Sequence, residues 1–196
     1  MKKTLVLAMI TGGLMLGATG ESNATSYAFD VYAQANSSSG GTGLATGINL
    51  TLGEAFTVSA GATDLWNAGA LPRWSNADGL MQHLYASGSD DSGQPAGTHI
   101  GQPFPLWTQH NLNAPYGSLV GEISGTYALL GTNFNGTAWN AGSLKLYYWD
   151  SNNYDNSEKI RVTVNTRDYQ VPEPATLLLL GTGLTGLAAV GRRKKA

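Results

Sequence analysis

The 196-residue chain carries 11 Lys+Arg, 13 Asp+Glu and no Cys, which excludes disulfides, thiolate metal sites and Cys nucleophiles. Its formal charge of −2 hides an asymmetry: residues 25–171 hold five basic against eleven acidic residues, a balance that argues against nucleic-acid binding. Stretches rich in Gly, Asn, Ser and Thr between short apolar runs predict an all-β fold.

Lys2 and Lys3 form a basic start, Thr4–Ala18 is apolar or small, and Ser22-Asn23-Ala24 offers a cleavage site after Ala24. Residues 1–24 therefore read as a signal peptide removed by signal peptidase, the alternative being an uncleaved anchor. The body follows over 25–168. Tyr27–Gln34 is a predicted first strand. Ile48, Leu50 and Leu52 alternate with polar residues, and so do Phe56, Val58 and Ala60; Gly53-Glu54 between them predicts a hairpin. The glycines of Gly40-Gly41-Thr42-Gly43 read as a flexible turn, because the Lys-Ser/Thr ending of a phosphate loop is missing.

Residues Ala86–Pro105 hold little apolar content and predict a long loop of the kind that is functional or disordered. Leu119–Ile123 and Tyr127–Leu130 predict a second hairpin around Ser124-Gly125. Leu144, Leu146 and Tyr148 alternate with polar or half-polar residues, and Ile160, Val162 and Val164 give the clearest amphipathic strand. Seven or so such strands predict a jelly-roll-like β-sandwich.

Catalytic signals are weak. No Gly-x-Ser-x-Gly run occurs in the body, and nothing singles out a carboxylate pair among Asp64, Asp78, Asp90, Asp91 and Glu122. His83, His99 and His110 are scattered, without a His-x-x-x-His spacing. The chain reads as a non-enzyme. Asp150-Ser151-Asn152-Asn153-Tyr154-Asp155-Asn156-Ser157-Glu158 does concentrate carboxylate and amide oxygens in one connection. Calcium takes six to eight such oxygens, but an ordinary Asx-rich turn has the same composition.

The chain ends in Val171-Pro172-Glu173-Pro174, an apolar run from Ala175 to Val190, and Arg192-Arg193-Lys194-Lys195. The run is marginal for a transmembrane helix, and the basic cluster behind it keeps that end cytoplasmic. Residues 169–196 closely resemble the PEP-CTERM sorting signal, with Pro172, Glu173, Pro174, Arg192 and Arg193 in the matching places. That resemblance implies an exosortase as partner, a stage in the inner membrane, and then release or attachment at the cell surface.

A second resemblance covers the body. Gly47–Leu50, Phe56–Gly61, Trp74 with Asp78-Gly79, Ala114–Ile123, Gly142–Leu146 and Asp150 with Asp155-Asn156-Ser157 follow an order similar to the PA-IL family of calcium-dependent galactose-binding bacterial lectins. The resemblance implies calcium as cofactor. Its ligands would be side chains of Asp150, Asp155 and Asn156, a carbonyl near Asn153, and another near Leu65 or Trp66. Carbohydrate or exopolysaccharide would be the partner, touched by Asp150, Asp155, Trp66 and Tyr154. Trp66 is favoured for the ligand face because it lies beside this ion site, whereas Trp74 and Trp149 read as core. Glu158 stands where that family has glycine. A biofilm matrix protein without sugar binding, or a glycan hydrolase on the same fold, are the competing expectations.

Overall fold

A computed structural model describes residues 24–167, and the strands given below lie among these described residues. The chain order is β1 (Ala24–Tyr32), β2 (Leu44–Leu50), β3 (Ala55–Ala60), β4 (Trp66–Asn67), β5 (Trp74–Ser75), β6 (Leu84–Tyr85) and β7 (His99–Gly101). It continues with β8 (Leu106–Gln109), β9 (Leu112–Pro115), β10 (Leu119–Ile123), β11 (Thr126–Leu129), β12 (Asn133–Thr137), β13 (Gly142–Tyr148) and β14 (Lys159–Arg167). One sheet runs β1-β14-β3-β12 and the other β11-β10-β13-β2; β4-β5, β6-β7 and β8-β9 are separate two-stranded ribbons. The strand pairs are antiparallel, so the all-β sandwich expected from periodicity is what forms.

The period-two pattern explains the core. Val31, Phe56, Val58, Ile160, Val162 and Val164 come from the first sheet, and Ile48, Leu50, Leu119, Ile123, Leu144 and Leu146 from the second; all are buried in one cluster. Each such side chain contributes roughly 1.5–3 kcal/mol by leaving water. With no cysteine in the chain, this burial carries most of the stability.

The Ser124-Gly125 hairpin forms as expected, joining β10 and β11. The expected β2–β3 hairpin does not. β2 pairs with β13, while β3 pairs with β14 and β12, so the Gly53-Glu54 connection crosses from one sheet to the other. Its backbone is held there by Gly53 donating to the Ala138 carbonyl and Ala138 donating to that of Glu54. Alternation identifies a strand with one buried face but not the sheet it joins.

The long polar segment is ordered. Ile100 in β7 is buried with Leu65, Trp74 and Ala86 in a second small core. Asp90 closes the turn beyond it, accepting from the backbone N–H of Ser87 and the hydroxyl of Ser92. Those hydrogen bonds lower the Asp90 pKa to about 2. Of the expected signal peptide only Ala24, the first residue of β1, is described; the apolar C-terminal span and the sorting motif lie outside the described residues. Among the described residues, no helix is long and apolar enough to cross a membrane.

Candidate functional site

The Asp-Asn loop connects β13 in one sheet to β14 in the other, at one end of the sandwich. Three neighbours hold it. The chain after β1 contributes the Ala33 carbonyl, which accepts from Asn156 Nδ2 at 3.3 Å, and the Gln34 carbonyl, which accepts from Asn153 Nδ2 at 3.3 Å. Ser38 Oγ donates to the Asp150 carbonyl at 3.0 Å. On the other side the β4 strand pairs with the loop, Asn67 and Ser157 exchanging backbone hydrogen bonds at 3.0 and 3.1 Å. The Gly40 turn packs on top: a Cβ at Gly40 would lie 2.6 Å from Asn153 Oδ1, so the glycine is there for close approach.

This pinning exposes an electrostatic mismatch. Asp150 is only 3% exposed. Burial pushes its carboxyl up to about 6, against the opposing hydrogen bonds from the Ser151 backbone and the Asn156 side chain, with the Asp155 charge adding to the rise. Asn156 is 5% exposed, and its amide nitrogen donates to the carbonyls of Ala33 and Asn152. Its Oδ1 is therefore turned away from both carbonyls and meets no donor. Asn152 Oδ1 and Asp155 Oδ1 are likewise buried without partners, as are Asn67 Oδ1 and the Tyr148 hydroxyl nearby in the fold. Buried oxygens without donors are costly, typically about 1–3 kcal/mol each. Their concentration on one loop and its supports marks the site.

Beside the loop is a cavity of about 210 Å³, bounded by Asp150, Ser151, Asn152, Arg73, Phe104 and Tyr116. The Arg73 guanidinium lies 5.5 Å from the Phe104 ring centre and 4.0 Å from Asp155 Oδ2. Phe104 meets Tyr116 edge to face at 5.2 Å. The wall thus offers one cation, two rings and several oxygen acceptors.

The expected site residues divide accordingly. Asp150, Asp155 and Asn156 are brought together. Asn153 belongs to the same loop, but its carbonyl accepts from the Asn156 N–H at 3.4 Å. Tyr154 stands at the rim, 78% exposed. Trp66 is corrected as a stacking surface: its side chain is fully buried, edge-on to Tyr148 at 4.5 Å, with its indole N–H donating to the Gly117 carbonyl at 2.8 Å. Trp74 and Trp149 are buried, as expected of core residues. Sequence reasoning missed Asn152, Arg73, Phe104 and Tyr116. Arg73 had one available signal, being the sole Lys or Arg between residues 25 and 144.

The carboxylates considered for hydrolysis are separated by other tasks. Asp64 accepts from the Arg161 N–H, Asp78 from Thr132, Asp91 from the Leu65 N–H, and Glu122 lies 3.4 Å from Lys145. Among the described residues no three His, Cys, Asp or Glu side chains converge as metal ligands. The loop's oxygens are instead divided between carboxylates and amides.

Comparison with curated proteins gave no match. Among solved structures, the chain is similar to the EclA N-terminal domain, a PllA-like lectin, at 18% identity and a TM-score of 0.43, covering 72% of this chain and 96% of that one. Residues 170–195 match the PEP-CTERM protein-sorting motif, which marks this chain as exported and sorted to the cell surface through exosortase processing.

Proposed function

We propose that the body is a calcium-dependent carbohydrate-binding domain, with the Asp150–Glu158 loop as its cation and sugar site. The observation that supports this is the set of buried, donor-free oxygens of Asn152, Asp155 and Asn156 beside a buried Asp150 carboxylate. Such a set suits a hard cation that prefers oxygen ligands, and amide oxygens are ordinary calcium ligands. Asp150, Asp155, Asn156 and Asn152 would hold the ion, with Asn153 as the carbonyl candidate within the loop. When bound, calcium supplies open coordination positions for vicinal hydroxyls. The chain's own residues would do the rest: Asp150 and Asp155 accept hydrogen bonds from those hydroxyls, and Arg73 donates from the cavity wall.

The cavity beside the loop has room for a ligand about the size of one sugar ring. Phe104 and Tyr116 line it, and aromatic rings suit the apolar face of a sugar. Export to the cell surface fits a polysaccharide partner outside the cell. Calorimetry with calcium followed by a glycan array tests the reading. Calcium uptake and glycan binding that a chelator abolishes are expected. No uptake at millimolar calcium would overturn it. Uptake without any glycan signal would leave a calcium-stabilised matrix protein in its place.

A further inference from the structure

His83 and His99, scattered in sequence, meet in the fold. His83 Nδ1 lies 3.0 Å from His99 Nε2, and the rings are tilted by 36° with centres 5.2 Å apart. The β6-β7 ribbon creates this meeting. Leu84 pairs with Gly101 and Tyr85 with His99, leaving Ile100 as the extra residue of a bulge. Ile100 is buried in the second core with Leu84 packed against that core, while His83 and Tyr85 are exposed and His99 half-buried. Backbone hydrogen bonds from Ala86 to Thr98 and from Gly97 to Ala86, both 2.8 Å, hold the ribbon just beyond the pair. Tyr85 flanks His99 with ring centres 5.2 Å apart.

We propose that His83 and His99 form a surface site for one divalent transition-metal ion of the nitrogen-preferring kind, copper(II) above all, distinct from the Asp150 loop. The argument is geometric. Two imidazole nitrogens bound at about 2.0–2.1 Å to one ion sit about 2.9 Å apart at a right angle and about 3.3 Å apart at the tetrahedral angle. The observed 3.0 Å lies within that interval, so the ribbon brings the two nitrogens within reach of one ion. In the pair one ring N–H donates to the other ring's nitrogen; metal binding moves that proton to the donor ring's second nitrogen, so that both facing nitrogens turn lone pairs on the ion. Exposure of His83 allows the small ring rotation this requires and leaves the remaining positions to water. Among divalent first-row ions copper binds such nitrogen sites most tightly. A hard oxygen-seeking ion such as calcium has no reason to prefer it, so the two sites answer to different metals and share no residue.

The test uses the full chain with calcium in excess, titrated with copper sulfate by calorimetry and followed by electron paramagnetic resonance. One tightly held copper(II) per chain is expected, with nitrogen splitting from two imidazoles. His83→Ala and His99→Ala should each weaken uptake at least about tenfold and remove one nitrogen from the spectrum, while His110→Ala changes neither. Far-UV circular dichroism confirms that the variants are folded. Absence of saturable uptake at micromolar copper, or unchanged uptake and splitting in the two variants, would overturn the proposal. So would variants that lower the melting temperature of the metal-free chain while the parent shows no copper response, since the pair would then be a hydrogen bond only.

Discussion

Gly69, at φ +110°, backs directly onto the Asp155 carboxylate, and a Cβ built there would collide with Asp155 Oδ2. The β4-β5 connection therefore sets the position of one proposed calcium ligand from behind. Gly69→Ala is expected to displace Asp155 and to strain the backbone, because L side chains avoid this φ. Calcium affinity should fall about tenfold, roughly 1.4 kcal/mol, as read by calorimetry. Affinity equal to the parent would mean that Asp155 does not hold the ion.

Removing the carboxylates themselves is the stronger change. Asp150→Ala together with Asp155→Ala should abolish the rise in melting temperature that calcium produces, because ligand binding stabilises only through the folded site. The metal-free double variant should melt at or above the parent, since two poorly compensated charges leave the loop. A calcium response that survives in this variant would place the ion elsewhere.

Asp150 also predicts a pH dependence. Burial raises its folded-state pKa to about 6 from an ordinary 3.8, so the folded protein holds this proton more tightly than the unfolded chain does. Stability from this group is full below about pH 4 and is lost as pH rises through about 6, by at most about 3 kcal/mol. Denaturant titrations of the metal-free chain between these pH values check the slope. Asp150→Asn should flatten it, and calcium should restore stability on the alkaline side.

Asp90 carries the opposite sign. Hydrogen bonds from Ser92 and Ser87 hold its pKa at about 2, so its contribution is present above about pH 4 and fades as pH falls through 2. The protection of the Ser87 and Ser92 amides, taken against the unfolded chain's exchange at the same pH, should fall over that interval and should be low at neutral pH in Asp90→Ala. Equal protection in that variant would remove the carboxylate from the turn.

Glu158 illustrates how far the sequence could be read. It stands where the resembling lectins have glycine, and its φ of 67° is left-handed. The misfit was therefore visible as a substitution before its conformation was known. Glu158→Gly should stabilise the chain by about 0.5–1 kcal/mol, the relief of strain exceeding the added freedom of the unfolded chain. Chemical denaturation measures it, and a loss of stability would show that the strain is compensated within the loop.

Other features divide on the same physical line. Ile160, Val162 and Val164 announced their buried face through local alternation, and the density of Asp and Asn announced the loop. The meeting of Arg73, Phe104 and Tyr116 beside Asp150 did not, because it arises from contacts between segments distant in sequence. His83 and His99 escaped for a related reason. They are sixteen residues apart on a ribbon whose polar connection has the composition of a loop. Trp66 was misread because a carbonyl implied beside the ion site says nothing about which way the indole of the same residue points.

Sorting gives a prediction independent of the ion. Replacing Pro172, Glu173 and Pro174 with alanine should leave the chain unprocessed and retained with the membrane fraction, as read by mass and fractionation. Normal maturation of that variant would separate the matched motif from exosortase recognition.

The nine-residue pairing of β1 with β14 begins at Ala24 opposite Arg167 and ends at Tyr32 opposite Lys159. Eight residue steps of antiparallel strand span about 27 Å. The Asp-Asn loop feeds into Lys159 at one end of this ladder, and Arg167 closes the other. The oxygens of Asp150, Asp155 and Asn156 are thus held out at one pole of the sandwich, and Ala24 and Arg167, at the ladder's other end, meet at the opposite pole. A ligand can therefore reach the Asp-Asn loop without passing the end of the domain where Ala24 pairs with Arg167.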